Sequence, residues 1–332
     1  MKVVVTEPHL MNEQTKGALA SLGNVTYGPF TSGQLFKQLS DCDVLVVRLG
    51  HFIGAEIIAH ASNLRFIVSA TTGLDHIDLA ATKSAGVEIV SLRGCANAIQ
   101  DVSATAEHTW GLLLALVRNI PAAANHVLAG GWDRNRFWGS QLRGRRLGIV
   151  GHGRIGGMMA RYGEAFGMDV VACDREPDKV VEPASNLPLS DIIQTSDVVS
   201  IHVTASPANS GFISRELIAR MKHSAVVLNT ARGSLVDEVA LAEAIAEGRI
   251  AGAAVDVLIG EEKGNSETSP LLRLARAGHN VLITPHIGGA TREAIESTEA
   301  AVVDYLLRLL KEHAGNSGEE RKPNYPDVPI TL

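Results

Sequence analysis

The segment 147–156, LGIVGHGRIG, constrains the fold of this chain more than any other part of the sequence. An apolar run precedes its glycines and an amphipathic stretch follows them, which predicts a buried strand, a tight turn and a helix. In such a unit Gly151 allows the turn, Gly153 lets the backbone approach a pyrophosphate, and Gly156 lets helix and strand pack closely. The N-terminus of the helix then presents N–H groups and a positive dipole end to the phosphates. The sequence therefore predicts a dinucleotide-binding unit.

Asp174 indicates which dinucleotide this unit prefers. It closes the apolar run Val170–Cys173, which predicts the next strand. A carboxylate at that strand end accepts hydrogen bonds from the adenosine ribose hydroxyls and repels a 2′-phosphate, so NAD is favoured over NADP. Arg175 follows and could meet a phosphate, but the acid holds the strand-end position. We therefore predict that Arg175 is a surface charge.

The composition predicts a globular enzyme of two domains, because 332 residues are too many for one ordinary core. A formal charge of −6 and a pI near 6.1 argue against a general binder of nucleic acid or of anionic membranes. Cys42, Cys95 and Cys173 have no metal-ligand spacing and are predicted to be buried thiols in a reducing compartment. The N-terminal apolar run is too short for a signal peptide, and no segment has the pattern of a membrane span. We expect a cytoplasmic protein without a metal site.

The apolar runs that come before the glycine segment predict a separate α/β domain. Short strands alternate there with helical stretches, which is typical of a doubly wound parallel sheet. The predicted strands are 2–5, 43–47, 65–68 and 87–90, and the predicted helices are 12–22, 32–39, 55–61 and 78–85. A long helix at 101–119 then leads towards the glycine segment.

A second parallel sheet, of the Rossmann type, is predicted from residue 147 onward. Its strands are predicted at 147–150, 170–173, 198–202, 225–229, 253–255 and 281–283. Because that sheet is complete before the final helix at 291–312, we expect this helix to return to the first domain. The predicted fold is thus α/β with two doubly wound parallel-sheet domains. A Rossmann NAD domain (99–289) is inserted in a flavodoxin-like substrate domain (1–98 plus 290–332), with a hinge at the two crossings.

Three segments with reactive side chains follow strands of the second sheet, at the edge where ligands of open α/β sheets bind. Arg232 follows one strand, Asp256 ends the next with Glu261 and Glu262 beyond it, and His286 follows the last. An arginine can clamp the carboxylate of a 2-oxo acid and polarise its carbonyl. An imidazole exchanges the hydroxyl proton, and a carboxylate beside it favours its charged form. This set predicts hydride transfer to or from a 2-hydroxy or 2-oxo acid.

Several motifs resemble those of the D-isomer-specific 2-hydroxyacid dehydrogenases, and the resemblance covers nearly the whole chain. The motifs are GIVGHGRIG (148–156), NTARGSLVDE (229–238), AGAAVDV (251–257) and NVLITPHIGGAT (280–291), with LRFIVSATTGLDHIDL (64–79) and AEHTWGLLLALVRNIP (106–121). The resemblance implies that Arg232 orients the substrate and that His286 is the acid/base, paired with Glu261. It also implies that Asp256 faces the nicotinamide carboxamide.

The resemblance extends to further binding residues and to assembly. The cofactor-binding candidates are Gly151, Gly153, Arg154, Ile155, Gly156, Asp174, Thr230, Ala231 and Asp256. The loop Ala70–Asp75, with Thr72 and Gly73, would offer backbone N–H groups to the substrate carboxylate. Members of the family are usually dimers that pair through the cofactor domain, so a homodimer through the helix at 101–119 is expected.

Some residues depart from the family pattern. The family commonly has Glu-Pro where this chain has IGEEKGN, so Glu262 could replace Glu261 as the partner of His286. Thr204 stands where a proline is frequent, which leaves the path of that loop open. The aromatic residues Trp132, Phe137 and Trp138 are predicted to be packing residues.

Arg48 bears on the choice of substrate. It ends the predicted strand 43–47, where the similar phosphoglycerate dehydrogenases carry an arginine that holds an anionic substrate. The alternative is an exposed arginine at a domain edge, so phosphorylated and plain 2-oxo acids both remain open. An alternative function is that of an NAD(H)-sensing, co-repressor-like binding protein, because relatives of that kind keep the same motifs. A formate-oxidising relative is disfavoured, because such enzymes usually replace the glutamate with glutamine.

Overall fold

A computed structural model describes residues 1–261 and 264–315 of the chain, without the side chains of 314 and 315. Its contacts divide the chain into two compact units. Unit 1 consists of Met1–Val102 and the segment that begins at Ala290, and unit 2 is Ser103–Gly289. The crossings lie at 102–103 and 289–290, compared with the predicted 98–99 and 289–290. Glu262 and the chain beyond residue 315 lie outside the described residues.

Unit 1 contains a five-stranded parallel sheet of order β2-β1-β3-β4-β5. Its strands are β1 Lys2–Val5, β2 Asn24–Tyr27, β3 Val44–Val47, β4 Phe66–Ser69 and β5 Glu88–Ser91. The helices between them are α1 Glu13–Ala20, α2 Ser32–Gln38, α3 Ala55–His60 and α4 Leu79–Ser84. The inner strands are apolar on both faces because helices cover both faces of a doubly wound sheet. The strand β2 was not predicted, since it is a short, half-exposed edge strand without a continuous apolar run.

Unit 2 contains a seven-stranded parallel sheet of order β12-β11-β10-β9-β6-β7-β8. Its strands are β6 Arg146–Val150, β7 Asp169–Cys173, β8 Ser185–Asn186, β9 Val198–Ile201, β10 Val226–Asn229, β11 Gly252–Val255 and β12 Val281–Ile283. Its helices are α5 Ala104–Val117, α6 Ile120–Leu128, α7 Arg154–Ala165, α8 Leu189–Thr195, α9 Arg215–Ile218, α10 Glu238–Ala246 and α11 Pro270–Arg276. The strand order reverses between β6 and β9, and such a reversal opens a crevice at the carboxyl ends of the strands.

The last described helix, α12 (Arg292–Gly315), belongs to unit 1. Its buried side chains Val302 and Leu306 share one core with Val3 and Val46 of the first sheet. The predicted α/β fold with two parallel sheets is therefore confirmed. Taken singly, none of the described helices has the length and apolar character to cross a membrane. The helices α5 and α6 reach that length and apolar character only when they are counted together, and the pair is bent by 65°.

The prediction that the aromatic residues before β6 pack in the core is wrong. Trp132 and Trp138 are 89% and 81% exposed, and Phe137 is only partly buried against the His126 ring. Their loop is exposed along most of its length, from residue 132 to 136 and again at 138 and 139, so these side chains lie at the surface. The same surface includes Leu128, which is 85% exposed on α6.

Candidate active site

The glycine turn after β6 has the backbone that the sequence predicts. Gly151 has a φ of +95°, and a Cβ there would lie 2.7 Å from the carbonyl oxygen of His202. A Cβ on Gly156 would lie 2.1 Å from the carbonyl oxygen of Gly151, so both positions require glycine. At Gly153, the N-cap of α7, the space around a Cβ is open. Arg154 and Ile155 are the first residues of α7, and their N–H groups therefore lie next to open space that a phosphate can occupy.

Asp174 lies at the end of β7 beside this turn. Its Oδ2 accepts a hydrogen bond from the His152 backbone N–H at 2.8 Å, and Oδ1 accepts from that of Glu176 at 3.1 Å. A cavity of about 500 Å³ adjoins it, lined by Cys173, Asp174, Arg175, Pro177, Asn186, Leu187, Pro188, Leu189 and Phe212. Arg175 is exposed and pairs with Glu176, Nη2 to Oε1, at 3.4 Å. The glycine cradle, the carboxylate and the cavity fit an adenine dinucleotide without a 2′-phosphate.

The three predicted reactive side chains follow neighbouring strands of unit 2 in register. Asn229 of β10 pairs with Val255 of β11, and Val255 pairs with Ile283 of β12. Arg232, Glu261 and His286 come after these strands in the same order. Because the strands are parallel, the segments that carry the three side chains all leave the sheet at its carboxyl edge.

His286 forms a pair with Glu261. Its Nδ1 lies 2.5 Å from Oε1 of Glu261, and Oε2 of Glu261 accepts from the Leu258 N–H at 2.9 Å. Both side chains are partly exposed, at 26% and 22%. His286 has a φ of +54°, which non-glycine residues seldom adopt, and its N–H donates to the carbonyl of Asp256 at 2.9 Å. The turn therefore imposes the backbone that directs this imidazole to the carboxylate.

Asp256, only 1% exposed, holds the turn that carries His286. Its Oδ1 accepts from the Thr284 hydroxyl at 2.5 Å and from the Ile287 N–H at 2.9 Å. Its Oδ2 accepts from the Gly288 N–H at 2.7 Å. The predicted contact with the nicotinamide carboxamide stays a prediction; in the structure Asp256 fixes the loop after β12.

Arg232 is held by a short turn after β10. Asn229 accepts from the Ala231 N–H at 3.1 Å and donates to the carbonyl of Arg232 at 2.8 Å. The Nη1 of Arg232 donates to the carbonyl of Ala231 at 2.7 Å. The Thr230 hydroxyl lies 2.7 Å from that of Thr109 on α5, which anchors the turn to the neighbouring helix.

Sequence reasoning missed one residue of this region, Glu238. It follows Asp237, which caps α10 by accepting from the Ala240 N–H, so the helix start does not require a second acid. Glu238 is buried, accepts from the Ile259 N–H at 3.1 Å and accepts a short hydrogen bond from the Ser269 hydroxyl. It therefore anchors the loop between β11 and Glu261. The sequence pattern that could have indicated this role is a second acid, Glu238, directly after the N-cap residue Asp237.

Three other histidines of unit 2 differ from His286 in their surroundings. His108 Nε2 lies 2.9 Å from the Thr284 hydroxyl and 3.2 Å from Oδ1 of Asp256. His152 Nδ1 lies 3.0 Å from the carbonyl of Lys179. Burial lowers the pKa of His202 to about 3, so this imidazole is neutral at neutral pH. Among these four histidines, His286 alone combines a carboxylate partner on Nδ1 with partial exposure.

The predicted substrate-binding residues lie in unit 1. Arg48 follows β3, its backbone N–H donates to Glu7 at 2.8 Å, and its Nη1 lies 3.5 Å from Oε1 of Glu299. After β4, the carbonyl of Thr72 accepts from Nε of Arg93 at 2.9 Å. The carbonyl of Gly73 accepts from the Thr71 hydroxyl at 2.7 Å. Within the described ranges, no group of three or more His, Cys, Asp or Glu side chains is arranged to hold a metal ion.

Comparisons with known proteins identify the family of the chain. Residues 110–288 match the family model for the NAD binding domain of D-isomer specific 2-hydroxyacid dehydrogenases. The chain is 35% identical to a D-3-phosphoglycerate dehydrogenase of Methanocaldococcus jannaschii, over 99% of this chain but 60% of that protein. It is 34% identical to a hydroxypyruvate reductase of Thermotoga maritima, over 86% of this chain and 90% of that protein.

Solved structures lead to the same family. A D-lactate dehydrogenase from Aquifex aeolicus, complexed with NAD and lactic acid, superposes with a TM-score of 0.80 at 25% identity, covering 96% of this chain and 97% of that one. An NAD-dependent formate dehydrogenase from Staphylococcus aureus, in complex with NAD, gives 0.81 at 26% identity, covering 94% and 96%. The chain belongs to the D-isomer specific 2-hydroxyacid dehydrogenase family, and unit 2 contains its NAD-binding domain.

Proposed function

We propose that this protein is an NAD-dependent dehydrogenase that transfers a hydride between NAD(H) and C2 of a small 2-hydroxy or 2-oxo acid of the D series. The observation that carries the proposal is the pair of His286 and Glu261, whose Nδ1 and Oε1 atoms lie 2.5 Å apart. Both residues, like Arg232, follow strands at the carboxyl edge of the same sheet. The names of the relatives point to acids of the hydroxypyruvate, phosphoglycerate and lactate types. The match to the hydroxypyruvate reductase covers most of both chains.

In the proposed reaction His286 moves the proton. Glu261 accepts from Nδ1–H and stabilises the imidazolium, so Nε2 is the nitrogen that gives a proton to the carbonyl oxygen during reduction. In the oxidative direction the same nitrogen takes the hydroxyl proton. A nicotinamide held by the glycine turn and Asp174 would supply or receive the hydride.

Arg232 positions the acid in this proposal. Its planar guanidinium binds the substrate carboxylate with two parallel hydrogen bonds and draws electron density from the adjacent carbonyl. The Asn229 side chain holds the turn on both sides of Ala231, which keeps the arginine near one orientation. In unit 1, Arg48 and the loop with Thr72 and Gly73 are the proposed substrate-binding residues.

Asp174 selects NAD in this proposal. Two backbone N–H groups fix its carboxylate beside the glycine turn, and the neighbouring Arg175 is paired with Glu176 rather than directed at a phosphate. A 2′-phosphate would therefore meet a fixed negative charge with little compensation.

We further propose a homodimer that pairs through the NAD-binding unit, in a reducing, cytoplasmic environment. The exposed apolar surface of α6 and the following loop supports the pairing; it includes Ile120, Val127, Leu128, Trp132 and Trp138. The expected helix α5 is mostly buried within its own unit, so α6 is the better candidate. The three cysteines are buried thiols, which suits a reducing compartment.

The function is tested by following NADH oxidation with a panel of 2-oxo acids: glyoxylate, pyruvate, hydroxypyruvate, phosphohydroxypyruvate and larger sugar-derived acids. We expect rapid turnover of at least one member and formation of the D-hydroxy acid. Tight NADH binding without turnover of any member would contradict the proposal and favour a nucleotide-sensing role.

A further inference from the structure

A buried carboxyl group of unit 1 lacks a complete set of partners. Glu299 on α12 is 2% exposed, and its Oε1 lies 3.5 Å from Nη1 of Arg48. Its Oε2 is fully buried, and none of the described residues offers it a hydrogen bond. A buried carboxyl with one long contact is costly, so its retention calls for a reason other than stability.

Acidic side chains surround Arg48. Glu7, which follows β1, accepts from the backbone N–H groups of Arg48 and Gly50 at 2.8 and 2.9 Å. Arg48, Glu7 and Glu296 of α12 are the charged groups that act on Glu299. The guanidinium of Arg48 is thus paired with Glu299, while Glu7 binds the backbone of the same residue.

This cluster lies beside the loop proposed to hold the substrate carboxylate. The strands β3 and β4 are paired, with Val47 opposite Ser69, so Arg48 and the loop Ala70–Asp75 leave the sheet at the same edge. An anionic group that approaches Arg48 there also approaches Glu299 and Glu7.

We propose that Glu299 sets the charge that the substrate tail can carry. By neutralising Arg48, it makes the site select 2-oxo acids with an uncharged tail, of the hydroxypyruvate type, over acids whose tail carries a phosphate. This inference rests on the proposed function, because it assumes that the acid binds at this edge. Glu299 acts through Arg48 and is a specificity-determining residue, not a catalytic one.

The ionisation of Glu299 supports this role at and above neutral pH. Burial raises the pKa of Glu299 to about 7, and Arg48 opposes that rise. Above this pH the Glu299 carboxylate compensates the charge of Arg48; below it, Glu299 is protonated and no longer compensates the guanidinium. Glu296 and Glu7 both favour the protonated form of Glu299.

The test compares kcat/KM for hydroxypyruvate and phosphohydroxypyruvate at pH 8 in the wild type, Glu299→Gln, Arg48→Gln and the double variant. We expect the wild type to prefer hydroxypyruvate. Glu299→Gln keeps the shape of the side chain and should raise the relative kcat/KM for the phosphorylated acid by at least about tenfold. The double variant should lose that gain. Glu293→Gln, which changes an exposed acid in the first turn of α12 that is not among the groups acting on Glu299, is the matched control and should leave the ratio unchanged.

An unchanged ratio in a folded Glu299→Gln variant would overturn the inference while leaving the proposed function intact. Turnover of neither acid, nor of any other panel member, by wild type that binds NADH would overturn the proposed function and this inference with it. If Glu299→Gln does not fold, the wild type is assayed with hydroxypyruvate and 3-sulfopyruvate, whose tail charge is constant. The relative kcat/KM for the sulfonate should rise as the pH falls through about 7; a flat ratio would overturn the inference.

Discussion

One acidic side chain of unit 1, that of Glu299, is held differently from the acids that follow the strands of unit 2. In unit 2, Asp256, Glu238 and Glu261 are each held by backbone N–H groups of the loops they brace. In unit 1, Glu299 is buried with one long contact to Arg48 and an oxygen without a described partner. The first arrangement rigidifies loops around a reactive imidazole, which is what hydride and proton transfer require. The second leaves an electrostatic imbalance, which is what substrate discrimination can use.

The largest effect is expected at the unit 2 edge, from Arg232→Gln. Loss of the proposed bidentate clamp should lower kcat/KM for the best 2-oxo acid by about 100- to 1000-fold, since its charge-assisted bonds to the carboxylate would be lost in the transition state. Steady-state kinetics measure this. Arg249→Gln, which removes an exposed arginine paired with Glu247, is the control and should change kcat/KM less than about twofold. Equal effects of the two substitutions would remove Arg232 from the site.

The second effect is a pH dependence of the free energy of unfolding that is due to Glu299 of unit 1. Burial raises the pKa of Glu299 to about 7 in the folded chain, above its value of about 4.3 when unfolded. The folded state therefore binds this proton more tightly, and the free energy of unfolding should fall by about 3 kcal/mol as the pH rises from about 4.5 to 8.

Urea denaturation of the wild type and Glu299→Gln across this pH range measures that dependence. The variant should lack the Glu299 contribution, so its stability relative to the wild type should increase with pH. Parallel pH profiles of the two proteins would show that Glu299 does not titrate in this way.

The smallest effect is expected from Glu238→Gln. An amide can accept from the Ile259 N–H or from the Ser269 hydroxyl, but it presents an N–H₂ group to the other donor, so one anchor of the loop before Glu261 is lost. We expect kcat to fall by about fivefold, with a changed pH profile and an unchanged KM for NADH. Glu243→Gln, an exposed position of the same helix, is the control. A lower melting temperature with normal kcat and a normal pH profile would leave Glu238 a purely structural residue.

The two edges also differ in how far the sequence could predict them. The glycine turn, Asp174, Arg232 and His286 are carried by contiguous motifs whose place after a strand defines their position. Glu238 and Glu299 act on partners that are distant in sequence, the latter on Arg48 across 251 positions, and no local pattern encodes such a contact. The error at Trp132 and Trp138 has a related cause, because hydrophobicity without periodicity does not tell a core residue from an exposed one.

We propose that the edge of unit 2 carries the chemistry through His286. The most direct test measures kcat and the NADH dissociation constant of His286→Gln on one preparation, with the best 2-oxo acid as substrate. We predict that kcat falls by about 100-fold or more, since the proton donor is lost, while the dissociation constant stays within about twofold of the wild-type value. An unchanged kcat, or NADH affinity lost in proportion to kcat, would contradict the account.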